Sequence, residues 1–327
     1  MYRISDFEGK SNNLNFIKFI AAILVIYTHS YGMITGNNCW LGGFAVAIFF
    51  FSSGYFVTKS LLRKKDIKAF VVSRFARLYP VFALTVILTA FVLGPIATTL
   101  PVTDYFTNLL TYKYLLELLF IPRYLLPGVF DACSVNASLW TMTLEVLCYI
   151  ALGFAYKLKM LNKRVLLILN IPVAIAVLYL FGVKSGDFAM HAYVRAMCTF
   201  VAGVDFFVFK DKISFDIRRV VIFVIIGVFL VAFGRRDFAI IVILPYLLTA
   251  IVFCPKQLPE FFGKVGDLSY SMYLVAFPIQ RLLIYYLNTS YIHNFIAASA
   301  ISVGVAVLMY VFVERKASER ILKKLSF

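Results

Sequence analysis

Ten stretches of the chain are apolar and nearly free of charge: residues 14–35, 40–60, 78–97, 138–158, 165–182, 189–209, 219–234, 238–254, 268–287 and 294–313. A helix that crosses a bilayer needs about 20 mainly apolar residues, and only the stretches at 219–234 and 238–254 are clearly short of that. The pattern predicts an all-α integral membrane protein of about ten transmembrane helices, with both ends on one side. The first run begins near Leu14, is as long as a full span and lacks a small-residue cleavage site, so it reads as a retained helix rather than a signal peptide. Segment 98–137 is the one long connection. Glu117, Pro122 and Arg123 interrupt its apolar part, which is expected to lie at the interface or to re-enter the membrane. No repeat, composition shift or appended soluble domain divides the chain, so residues 1–327 are expected to form a single membrane domain.

Composition agrees, with 62% hydrophobic residues, 15% charged residues and a mean hydropathy of +0.89, where a soluble domain is about a quarter charged. The net charge of +16 does not point to nucleic acid, because the basic residues sit in short loops rather than on a soluble face. Their distribution sets orientation. With the N-terminus inside, 24 of the 32 Lys and Arg fall in cytosolic segments, including Lys59–Arg77 and the stretch after Glu314. Five fall outside: Lys113, Arg123, Lys184, Arg235 and Arg236. The positive-inside rule then puts both termini in the cytosol. Cys148, Cys198 and Cys254 lie in apolar runs and behave as small hydrophobes. Cys39 and Cys133 fall in outer loops, where an oxidising compartment permits a disulfide. No spacing resembles a metal site.

Ionisable groups inside spans are costly and are functional candidates by default. His29, Glu145, Arg195 and Arg281 each lie about six or seven residues, roughly 9 Å, from the outer end of their spans. A polar chamber in the outer half of the membrane is one reading. A hydrogen-bonded core histidine, a snorkelling Arg281 and a structural Glu145–Arg195 pair are the plain alternatives. His191 and His293 read as ordinary residues of the outer helix mouths. At the inner face, SRFARLYP puts Arg74 and Arg77 three apart on one helical face. Two guanidiniums there suit a phosphorylated ligand, or they serve only the positive-inside bias. Lys18 and His29 are three helical turns apart, about 16 Å, which suits a long, narrow ligand. Coenzyme A meets that description, with its nucleotide phosphates on Lys18, Arg74 and Arg77 and its thioester near His29.

The same residues carry a resemblance to the membrane acyltransferase 3 family of sugar O-acyltransferases. It runs through KFIAAILVIYTH (Lys18–His29), GGFAVAIFFFSSGY (Gly42–Tyr55), RFARLYP (Arg74–Pro80), NASLWTMTLEVLCY (Asn136–Tyr149) and LSYSMYLVAFPIQ (Leu268–Gln280). The resemblance implies transfer of an acyl group, usually acetyl from acetyl-CoA, to a hydroxyl of a cell-surface glycan or its lipid-linked precursor, in the bacterial inner membrane and without a metal. It implies that His29 is the essential histidine, that Lys18, Arg74 and Arg77 are the basic residues of the donor side, and that Trp140 and Glu145 belong to the SLW…E signature. Many relatives carry Asp where this chain has Ala47, and often His where it has Ala276, so any role of those two groups is absent or moved.

On this reading His29 is the general base, or an acyl relay, for a sugar hydroxyl, and Glu145 stabilises the imidazolium. Arg195 holds an oxyanion or an acidic sugar, and Ser138 and Trp140 help bind sugar near the outer mouth. A transporter or flippase of a glycan or lipid is the rival, since a charged layer also suits a translocation path.

Overall fold

The computed structural model describes residues 2–3, 13–182, 188–254 and 267–324. A helix stands at each predicted position: α1 Leu14–Thr35, α2 Leu41–Lys64, α3 Ile67–Leu88, α4 Trp140–Lys157, α5 Lys163–Gly182, α6 Phe188–Val208, α7 Ile217–Ala232, α8 Arg236–Val242, α9 Leu244–Val252, α10 Ser269–Leu287 and α11 Tyr291–Met309. Among the described residues, five stretches are long and apolar enough to cross a membrane: Leu14–Thr35, Leu41–Lys64, Ile67–Ala97, Ala137–Lys157 and Tyr291–Ile321. Other helices also turn apolar side chains outward, as α5 does with Leu167, Ile171, Ile175 and Leu178, and α7 with Ile225, Val228 and Phe229. Such faces are costly in water and ordinary in lipid. The chain is a multi-pass membrane protein.

Two boundaries differ from expectation. Helix α3 starts at Ile67, well before 78, because SRFAR is a good helix sequence and only its charge disqualified it as bilayer span. It continues through a π-helical turn at Thr89–Leu93 into Gly94–Ala97. The expected span 238–254 is broken into α8 and α9 around Ile243, where Pro245 removes a backbone donor and clashes with the preceding turn.

The chain forms two compact units. The first comprises residues 1–21, 43–67 and 147–267. Its centre is a close approach of α2 and α6. A Cβ at Gly54 would collide with the Phe200 carbonyl, and one at Gly203 with the Phe51 carbonyl. Small residues let membrane helices come this near, where dispersion replaces the missing hydrophobic drive. Ser53 and the Tyr149 hydroxyl, 2.7 Å apart, tie α2 to α4. Asn13 Nδ2 donates to the Ile251 carbonyl at 3.0 Å, holding the start of α1 to α9.

The second unit comprises residues 22–42, 68–146 and 268–327. Here segment 98–137 is packed rather than loose. It forms short helical turns whose Tyr105, Tyr114, Leu126 and Phe130 are buried with Val81, Phe82 and Val86 of α3. Helices α10 and α11 make a hairpin turned by Asn288, at φ 45°. A buried polar network locks α1 to it. The Ser30 hydroxyl donates to Asn294 Oδ1 at 2.7 Å and accepts from Gln280 Nε2 at 2.6 Å. Gln280 Nε2 also reaches the Ile26 carbonyl at 2.6 Å. Cys39 and Cys133 are free thiols and form no disulfide.

Candidate active site

Pro278 interrupts α10 and deprives the Leu274 carbonyl of its helical donor. Asn136 Nδ2 takes that place at 2.9 Å, so a helix defect becomes the anchor for the segment leading into α4. Two further bonds complete it. The Tyr273 hydroxyl donates to the Ser138 carbonyl at 3.0 Å, and the Thr141 hydroxyl donates to Tyr273 at 2.9 Å. Ser138 itself is buried, and its hydroxyl donates to Asn136 Oδ1 at 2.5 Å. Its side chain therefore shapes the turn, whereas Trp140, expected beside it as a sugar contact, is half-buried at the start of α4.

Tyr273, Phe277 and Arg281 recur every four residues and so share one face of α10. His29 packs edge-on against Phe277, ring centroids 5.1 Å apart, and the Arg281 guanidinium lies 5.5 Å from the same ring. Both His29 Nδ1 and Arg281 Nε are buried with no hydrogen-bond partner. Buried polar atoms are nearly always satisfied, so two unsatisfied nitrogens around one aromatic ring are conspicuous. Glu145 lies one turn beyond Thr141 on α4 and within electrostatic reach of Tyr273. Among the described residues, His29 Nδ1 neither accepts nor donates a hydrogen bond, so nothing joins it to Glu145 through that nitrogen. Arg74 and Arg77 lie within the single helix α3, both half-buried. Ala276 is buried in apolar packing and leaves no ionisable group at its position.

In the first unit the expected basic residues have partners that the sequence did not reveal. Lys18 makes a 3.1 Å ion pair with Asp267. Arg195 Nη1 is paired with Asp237 Oδ1, and His191 Nδ1 lies 3.1 Å from Asp237 Oδ2. The Arg195 guanidinium rests on bare backbone, since a Cβ at Gly43 would collide with it. His191 thus belongs to a buried ionic group rather than an ordinary helix mouth. Ala47 is also fully buried and apolar. No group of three potential metal ligands occurs among the described residues.

Glu117, in the packed segment, is 1% exposed and accepts a hydrogen bond from the Arg123 backbone N–H. Burial pushes its carboxyl up to about 7, against the opposing pull of that bond and of the Arg123 charge. The sign follows from linkage. Below the ordinary value of 4.5 folded and unfolded chains both carry the proton. Between there and about 7 the unfolded chain ionises first, so stability falls as pH rises. Thermal unfolding in detergent should therefore show a loss of up to about 3 kcal/mol between pH 4.5 and 8, and Glu117→Gln should flatten the profile. An equally steep profile in the variant would assign the titration to another group.

Residues 11–311 match the acyltransferase 3 family, described as an acyltransferase domain. The chain is 24% identical over 333 residues to a protein named O-acetyl transferase from Shigella phage Sf6, covering 97% of this chain and 99% of that one. It is 28% identical over 173 residues to Nodulation protein 10 of Rhizobium leguminosarum bv. viciae, covering 48% of this chain and 47% of that protein. No solved structure matches.

Proposed function

Because the chain belongs to the acyltransferase 3 family and is an acyltransferase, we propose that it moves an acetyl group from cytosolic acetyl-CoA to a hydroxyl of a cell-surface polysaccharide or its lipid-linked precursor. In this reading it is an O-acyltransferase with ten spans in the bacterial inner membrane and both termini in the cytosol. The supporting observation is the unpartnered, buried Nδ1 of His29 on the Phe277 ring. A base must have a free nitrogen within reach of the proton it takes.

The acceptor hydroxyl gives its proton to His29 as its oxygen attacks the thioester carbonyl. The tetrahedral oxyanion collapses, the carbon–sulfur bond breaks, and the coenzyme A sulfur leaves with the proton from the imidazolium. Arg281 is better suited than Arg195 to meet the oxyanion, because it shares the Phe277 ring with His29 and keeps a free donor, whereas Arg195 is already paired with Asp237. A fixed cation is most effective where charge develops away from water. Arg195 and Trp140 remain candidate contacts for the acceptor, and Ser138 supports that surface from beneath. Glu145 acts through its field on the imidazolium.

On the donor side Arg74 and Arg77 hold the coenzyme A phosphates. Lys18 has a weaker part, since Asp267 already offsets its charge. Arg74→Ala and Arg77→Ala should each raise the KM for acetyl-CoA about tenfold or more, the scale of one charge-assisted phosphate contact, with the KM for the glycan little changed. The reverse pattern would return both arginines to a topogenic role. The reaction itself is tested by comparing the masses of glycans from cells with and without the chain; loss of an acetyl group is expected, and identical glycans would refute the assignment.

A further inference from the structure

A second feature of the first unit lies apart from every residue used above. The ends of α2 and α4 and the turns that follow them line an open pocket of about 600 Å³. Lys65, Lys157, Lys159, Asp66 and Tyr156 line it together with the apolar Leu62, Ile67 and Leu161. Two of the lysines occupy left-handed backbone positions just past a helix end, Lys65 at φ 55° and Lys159 at φ 57°. The chain there closes with Lys65 N–H on the Leu61 carbonyl at 2.9 Å and Met160 N–H on the Ala155 carbonyl at 2.8 Å. Left-handed geometry favours Gly or Asn at such positions, so lysine at both is a local cost that the turns themselves do not require.

Cations are favourable at helix C-termini, and that alone would account for one lysine at each end. It does not account for three that share a pocket. No ion pair among the described residues involves Lys65, Lys157 or Lys159. Asp66 also lines the space, and the four charges leave a surplus of two positive. Along one face of α4 and just past its end lie Leu147, Ile150, Phe154 and Leu158, each at least half exposed. The stripe runs to the end of the helix that carries Lys157.

The geometry points to a binding site for one anionic phospholipid, its headgroup phosphate on Lys65, Lys157 and Lys159 and its acyl chains along the Leu147–Leu158 face of α4. An apolar stripe that ends in a basic pocket at the cytosolic end of its helix is the arrangement such headgroups select. In the orientation proposed above, this lipid belongs to the inner leaflet. The site itself does not depend on the acetyl-transfer reading, and its test does not use activity.

The full chain, purified in neutral detergent, is mixed with equal amounts of phosphatidylglycerol and phosphatidylcholine of identical acyl chains and examined by native mass spectrometry. Wild type should retain phosphatidylglycerol about tenfold over phosphatidylcholine, in line with the attraction of several lysines to one phosphate. The Lys65→Gln/Lys157→Gln/Lys159→Gln variant should lose the preference, and the corresponding triple Arg variant should keep it. Should the triple Gln variant fail to insert, Lys157→Gln alone should reduce the preference measurably. Equal retention of the two lipids by wild type, or an undiminished preference in the Gln variants, overturns the proposal. So does displacement of the lipid by stoichiometric coenzyme A or by inorganic phosphate, which would reassign the pocket to a soluble anion.

Discussion

His29→Ala is expected to lower acyl transfer by at least 100-fold while the protein inserts at normal abundance. The size follows from general-base catalysis, which typically contributes two to four orders of magnitude. Normal insertion follows from the surroundings of the residue. His29 contributes no hydrogen bond at Nδ1, and its packing is an edge contact with Phe277. The Ser30–Gln280–Asn294 network one residue further along α1 is untouched by the change. Turnover in membranes, normalised to protein measured by immunoblot, is the readout. Activity above about a tenth of wild type would exclude the histidine as base, given the same range.

Glu145→Gln should lower kcat by about tenfold or more, with the KM for acetyl-CoA and the melting temperature nearly unchanged. The amide keeps the shape but cannot offer a negative charge to an imidazolium. Because the carboxylate acts through its charge and does not itself take the proton, the effect should be smaller than that of removing His29, and Glu145→Asp should retain more activity. The structural alternative predicts a different pattern. If the carboxylate serves mainly to brace α4 beside Tyr273, the Gln variant should unfold at lower temperature and transfer normally once folded. Single-turnover transfer measured beside thermal unfolding separates the two, and normal turnover sinks the catalytic role.

Much of the candidate site was legible in the residues themselves. His29, Glu145, Arg195 and Arg281 stood out because apolar spans make any ionisable group conspicuous. Arg74 and Arg77 stood out by spacing. What stayed hidden was each residue's partner. Asp237 and Asp267 sit at helix starts, where a carboxylate needs no explanation, and nothing in sequence links them to Arg195 and Lys18. Asn136 looked like part of a motif, whereas its task is to satisfy the carbonyl that Pro278 leaves open. Pro278 within an apolar run was the one available signal. Glu117 was noticed only as an interruption of an apolar stretch, although that stretch folds into the core around it.

The sequence by itself determined where the helices lie, because a bilayer demands about 20 apolar residues per crossing and leaves few other arrangements. It also marked which charged groups are costly enough to require a reason. Only the tertiary structure decided which of those charges are already satisfied. Arg195 and Lys18 have carboxylate partners 42 and 249 residues away, while His29 and Arg281 keep unpaired nitrogens on a shared ring. Pairing at such separations depends on how helices pack, and packing is set by small-residue contacts such as Gly54 on Phe200 and Gly203 on Phe51, which hydropathy does not register.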